Sequence, residues 1–165
     1  MVFTPVRSFR KPMADLVHRT MIATLSSSIM DTKKFRHDHS DILAHIHALR
    51  MLVKLGIASN AAAIAKQIIT ISSTIKLHLA VEDKVVYPAF AASKDPAMAA
   101  TGARFQSEMG EISADYMAFA GAWNTSDKIA SAPEQFREQA NRIFKALFER
   151  TQRENEELYP ALATL

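Results

Sequence analysis

The sequence predicts an all-α fold: a hemisymmetric up-down-up-down bundle of four long helices with an additional N-terminal helix. Three observations carry that expectation. Only four glycines occur in 165 residues, and no strand-length run alternates Val, Ile or Thr with polar residues. Apolar residues recur instead at spacings of three and four, the period of a helix with one buried face. Boundary signals fall between the periodic stretches, at Asp31-Thr32, Gly56, Ser59-Asn60, Asp95-Pro96 and Ala132-Pro133. Short loops between long helices make antiparallel neighbours.

Taken in order, residues 1–30 form an N-terminal extension. It contains a short helix from about Met13 to Ile29, with Leu16, Val17, Met21, Leu25 and Ile29 on one side. A closed four-helix bundle has no internal place for that side, so self-association as a homodimer would bury it. Residues 31–165 form the bundle. Asp31 or Thr32 caps its first helix, which runs to about Leu55 with Phe35, His39, Ile42, Leu43, Ile46, Leu49 and Val53 inward. Ser59 or Asn60 caps the second, with Ile64, Ile68, Ile71, Ile75, His78, Glu82 and Val85 inward. That helix is expected to end near Tyr87-Pro88, because proline disfavours helix in the residue before it. Asp95-Pro96 opens the third, with Met98, Phe105, Met109, Ile112, Tyr116, Phe119 and Trp123 inward. Ala132-Pro133 opens the fourth, with Phe136, Ile143, Leu147, Arg150, Glu154 and Ala161 inward.

Composition narrows the function classes. Hydrophobic residues make up 48% of the chain and the formal charge is +3, the balance of an ordinary globular domain. Two small basic runs, Arg7-Arg10-Lys11 and Lys33-Lys34-Arg36, lack interleaved aromatics, so no nucleic-acid partner is expected. The absence of cysteine removes disulfides, zinc knuckles and thiol chemistry and is compatible with a reducing compartment. No membrane span and no signal peptide are readable, and a cytoplasmic location is the default expectation.

The chemistry-bearing feature is a duplicated ending. His78-Leu-Ala-Val-Glu82 precedes Tyr87-Pro88, and Arg150-Thr-Gln-Arg-Glu154 precedes Tyr159-Pro160. The copies stand seventy-two positions apart, and Asp38-His39 matches Glu108-Met109 at an offset of seventy. His and Glu four residues apart share one helix face, which is how a helix presents a pair of metal ligands. His39 lies near the start of one helix, and His78 and Glu82 near the end of its antiparallel neighbour. Met109, Arg150 and Glu154 occupy the matching places in the other hairpin. All six are expected to converge at one end of the bundle. Histidines 45 and 47 fall off the inward stripe and are expected at the surface or in a groove, and the Tyr87 and Tyr159 hydroxyls are expected to reach a carboxylate or backbone group.

With these features in place, the chain resembles the hemerythrin-like domains, the family also called the HHE cation-binding domain. The family pattern is an acidic-His pair on the first helix and His-x-x-x-Glu before Leu-Tyr-Pro on the second, then both features again. The resemblance covers about Asp31 to Leu162. It implies a non-haem di-iron centre used to bind oxygen, to sense iron or oxygen, or to handle redox stress. By the same resemblance His39, His78 and Glu82 match metal ligands, and Glu154 matches the second bridging carboxylate.

The chain departs from the pattern where two further histidines are expected, at Met109 and Arg150. Leu79 also lacks a carboxylate that some members place after the histidine. The losses fall on one half of the site and leave the other half complete. Two imidazoles with one or two carboxylates suit one iron, manganese or zinc ion, whereas a thioether suits hard cations poorly. Arg150, always charged, would stand in for the second metal and pair with Glu154 and Glu82. The expected function is therefore a cation-binding module for metal (iron), oxygen or redox sensing or binding, with a metal cation and dioxygen as partners. The alternative is a metal-free structural or regulatory interaction bundle built on the Arg–Glu network. A di-iron oxidase or peroxidase is disfavoured, since too few ligands remain for two irons.

Overall fold

The computed structural model describes residues 32–165, and among the described residues every regular element is helical. The helix expected over residues 13–29, and the homodimer contact inferred from it, lie outside the described residues. Helix α1 (Thr32–Lys54) buries Phe35, His39, Ile42, Ile46 and Leu49, the three-and-four pattern of a single inward stripe. Leu43 and Val53 sit at the edge of that stripe, half-buried against the core. The helix stops at Gly56, whose φ of 113° lies in the region that favours glycine.

Helix α2 (Ala61–Val81) starts after Asn60. Asn60 holds the N-cap position without capping through its side chain. Its amide instead donates to the Gly56 carbonyl at 2.8 Å, which ties the loop to itself. Inward residues are Ile64, Ile68, Ile71, Ile75 and His78, as the periodicity implies.

The helix does not end at Tyr87-Pro88. A π-helical turn, Glu82–Val86, follows α2, and helix α3 (Tyr87–Ala91) continues from it. Proline normally interrupts a helix by withholding an N–H and crowding the carbonyl four residues back. In the widened turn the bonds reach five residues back, with the Tyr87 N–H donating to the Glu82 carbonyl. Pro88 then falls in the first turn of α3, where no N–H is required of it. The wider turn also brings Val86 rather than Val85 fully into the core.

Helix α4 (Pro96–Ala122) opens with an N-cap: Asp95 accepts from the Ala97 N–H at 2.9 Å. Its buried face carries Gly102, Phe105, Met109, Tyr116 and Phe119. Gly102 allows α3 to approach closely, since a Cβ there would fall 2.3 Å from the Phe90 Cβ. A short helix, α5 (Ser126–Ser131), was not foreseen, and its Ile129 is fully buried in the core. Helix α6 (Pro133–Arg153) has the same length as α2, 21 residues. A second π-helical turn, Glu154–Leu158, and helix α7 (Tyr159–Leu162) complete the repeat. The two hairpins thus duplicate an unusual local structure as well as a motif. Leu162, not Ala161, is the residue that enters the core after the second turn.

Apolar packing fills the part of the bundle away from the duplicated motifs. There Trp123 meets Phe136 edge-on, ring centroids 5.5 Å apart, and Phe119 packs against both Phe136 and Phe144. The Trp123 indole N–H donates to Gln139 Oε1 at 2.8 Å, so the large ring is buried with its donor satisfied. No helix among the described residues is long and apolar enough to cross a membrane.

Candidate metal centre

The polar residues of the two motifs are buried together. His39, His78, Glu82, Arg150 and Glu154 are each at most 3% exposed. Met109 is buried as well, but near the middle of α4 and not at its start. The difference arises because α3 and α4 both extend past the motif residues, so the cluster lies inside the bundle and not on its end.

Four side chains offer ligand atoms that all lie within 4.8 Å of one another: His39, His78, Glu82 and Glu154. The two imidazoles face each other through their Nε2 atoms at 3.1 Å. His39 Nε2 is also 3.0 Å from Glu154 Oε2, and His78 Nε2 is 3.5 Å from Glu82 Oε1. Behind His39, the ring Nδ1 meets Asn155 Oδ1 at 3.1 Å, which sets the ring so that Nε2 points inward. Asn155 is itself held by the turn, where its carbonyl accepts from Arg36 at 2.9 Å. His78 Nδ1 is buried without a hydrogen-bond partner, and Asp38 Oδ2 stands 3.7 Å away.

The other half of the cluster is occupied by Arg150. Its Nε donates to Glu154 Oε1, its Nη1 to Glu108 Oε2 at 3.1 Å and its Nη2 to the Phe105 carbonyl at 2.8 Å. The guanidinium also lies over the Phe105 ring, 4.4 Å from the centroid. The expected pairing with Glu82 is not direct. Tyr87 stands between them, 3.4 Å from Arg150 Nη2 and donating to Glu82 Oε2 at 3.3 Å. Glu108 takes the place expected for Glu82 because it comes from the helix facing Arg150, and it also accepts from Arg153 at 2.8 Å.

Protonation follows from this layout. Burial pushes the Glu82 carboxyl up to about 8, and the neighbouring Glu154 charge adds to the rise. Burial pushes His78 down to about 4, with His39 beside it acting in the same direction. Burial opposes the charge on Glu154 too, but the His39 hydrogen bond and the Arg150 guanidinium overcome it and hold that carboxyl below its ordinary value. Arg150 is likewise penalised by burial and rescued by Glu154, so its guanidinium stays charged. The site therefore sets the charged Arg150–Glu154 pair beside an imidazole and a carboxyl, His78 and Glu82, whose burial favours their neutral forms.

Donor separations test whether this set suits a cation. Bonds of about 2.1 Å at right angles put neighbouring ligands about 3.0 Å apart. The separations of 3.0 and 3.1 Å match the edges of such a polyhedron, and the 3.5 Å between His78 and Glu82 is about half an ångström longer. The buried, unpartnered His78 Nδ1 beside a carboxylate also suits the outer hydrogen bond that metal-bound imidazoles make. The donor set fits one cation. A second would have to displace the guanidinium.

Duplicated helical hairpins enclosing a buried histidine–carboxylate cluster define a bundle of the cation-binding class. Residues 30–162 match the family model described as the hemerythrin HHE cation binding domain, and the chain belongs to that family. Searches of curated proteins and of solved structures found no match.

Periodicity had singled out His39, His78, Glu82, Glu154, Met109 and Arg150, and the structure brings the four ligand-type residues and Arg150 into one buried group. It had not singled out Asn155 or Glu108 as site residues. Glu108 was nonetheless readable from the repeat, since it aligns with Asp38. His45 Nδ1 accepts from the Gln67 amide at 3.1 Å and His47 is exposed, both away from the cluster.

Proposed function

We propose that this protein is a hemerythrin-like cation-binding module that holds one metal ion through His39, His78, Glu82 and Glu154. The observation that carries the reading is the convergence of four buried donor atoms within 4.8 Å. Iron is the first choice, with manganese and zinc also suited to two imidazoles and two carboxylates. A bound iron would supply a redox couple and an open position for dioxygen, which favours a role in iron, oxygen or redox sensing or binding.

The chain's own residues divide the remaining tasks. Asn155 orients His39, and Asp38 is placed to do the same for His78. Glu82 gives up its proton when a cation arrives, so uptake releases protons and strengthens as pH rises. Arg150 supplies the positive charge that a second metal would have brought, and leaves Glu154 one oxygen for the first.

A second reading is favoured by one specific observation. Arg150 engages Glu154, Glu108 and the Phe105 carbonyl together, a network that is satisfied without any metal. In that reading the bundle is a structural or regulatory interaction module. Metal analysis of untagged protein, after reconstitution with iron, manganese or zinc, separates the two. About one metal per chain, lost in His78→Ala, is the expected result. No bound metal under any of these conditions would leave the interaction bundle as the correct reading.

A further inference from the structure

Tyr159 stands inside the donor cluster. Its hydroxyl donates to Glu82 Oε1 at 2.8 Å and lies 3.1 Å from His39 Nε2. Both distances are as short as those that relate the four ligand atoms to one another, 3.0 to 3.5 Å. The ring is fully buried and stacked on both Phe35 and His39, with centroids 5.3 Å away in each case. The hydroxyl therefore has no other direction to take. Its repeat counterpart, Tyr87, faces the opposite oxygen of Glu82 and the Arg150 guanidinium, at 3.3 and 3.4 Å. Each Tyr-Pro tyrosine thus serves one half of the site, and Tyr159 serves the half with the imidazoles.

We propose that Tyr159 is a fifth protein ligand, and that the site takes a hard trivalent cation, ferric iron, through two imidazoles, two carboxylates and a phenolate. This rests on the reading of the cluster as a metal site and adds the ligand and the charge of the ion. Donor type supports the choice. Glu82, Glu154 and the Tyr159 oxygen would then be three anionic oxygen donors around the ion in a buried pocket, the donor type a hard 3+ cation favours. On binding, the phenol O–H bond breaks, the oxygen lone pair forms the bond to the ion, and the proton passes to solvent. No electron moves, because the iron arrives already ferric.

The test is a titration of the full chain with ferric nitrilotriacetate, followed by visible absorption and by resonance Raman excited in any band that appears. A phenolate-to-iron charge-transfer band with tyrosinate ring modes is expected. The chain has three tyrosines, so single substitutions assign the ligand. Tyr159→Phe abolishes the band while iron remains bound. Tyr116→Phe keeps it, because Tyr116 is engaged elsewhere, with Ser72 at 3.0 Å; a band lost in Tyr87→Phe while iron remains bound overturns the assignment to Tyr159. Iron bound without the band, or a band that survives Tyr159→Phe, overturns this proposal and leaves the one-metal reading standing. Uptake of ferrous iron, manganese or zinc but not ferric iron does the same. No uptake of any of these ions overturns both. Where Tyr159→Phe fails to fold, tyrosinate modes that persist in both Tyr87→Phe and Tyr116→Phe assign the ligand by elimination.

Discussion

In the first hairpin a neutral imidazole, His78, sits four residues before Glu82; in the second a guanidinium, Arg150, sits four before Glu154. The surrounding helices have equal length, and both are followed by a π-helical turn and a Tyr-Pro. One side chain therefore changes the electrostatic character of its half. Around Arg150 the charges are closed off by Glu154 and Glu108. Around His78 they are left open: Glu82 is pushed toward its protonated form, and His78 Nδ1 has no hydrogen-bond partner. A buried ion pair with complete hydrogen bonds needs nothing further, whereas an uncharged imidazole and carboxyl held side by side can both turn lone pairs to a cation once the carboxyl gives up its proton.

The largest effect should come from erasing the difference between the halves. Arg150→His combined with Met109→His restores the ligand types missing from the second half, and metal per chain should rise from about one toward two by elemental analysis. A stoichiometry unchanged from the parent would mean that Arg150 does not stand in for a metal. Removing the cation without adding a ligand tests the same contrast energetically. Arg150→Met strands the buried Glu154 carboxylate and should cost about 3–5 kcal/mol in urea denaturation of metal-free protein. His78→Leu should cost about 1 kcal/mol or less under the same conditions, because only weak neutral contacts are lost. Equal costs would erase the distinction drawn between the halves.

The support behind His39 gives a smaller effect. Asn155→Ala frees the ring to rotate and should weaken metal binding by about 10- to 100-fold. Asp83→Ala, the exposed counterpart seventy-two positions earlier, should leave affinity unchanged. A slope in pH sets the two halves apart in another way. Glu82 titrates near 4.5 when unfolded and near 8 in the folded metal-free protein, so folding loses stability as pH rises through that window. Glu82→Gln should remove the slope, making the variant gain on the parent between pH 5 and pH 8 in thermal melts. His78 acts at the other end. Its ordinary value of 6.5 falls to about 4 on folding, so stability is lost as pH falls from 6.5 toward 4.

Much of this was legible because helical period and ligand period coincide. His39, His78, Glu82, Arg150 and Glu154 could be placed inward for the same reason as Ile71 or Leu147: each sits on a three-and-four stripe. The reach of the two tyrosine hydroxyls to a carboxylate was also readable, and both meet Glu82. Asn155 and Glu108 were harder, because a polar residue one step off a stripe is indistinguishable from a solvated one. The six-residue α5 was too short to display a period. The continuation past Pro88 was hidden by a sound rule, since proline stops an α-helix but can follow a π turn.

Those two widened turns act as phase shifters. Each residue of an α-helix advances the chain by about 100 degrees, so an extra residue would rotate everything after it by roughly that angle unless a wider turn absorbs it. The glutamate and the tyrosine five positions on can then address the same point, which a straight α-helix would not permit. Straightening Glu154–Leu158 to α periodicity at unchanged length would put Tyr159 about 140 degrees round the helix from Glu154 and swing it out of the pocket. The bundle upstream would keep its register. The geometry of the centre is thus keyed by two single-residue insertions, one in each hairpin, as a lock is keyed by the offset of its pins.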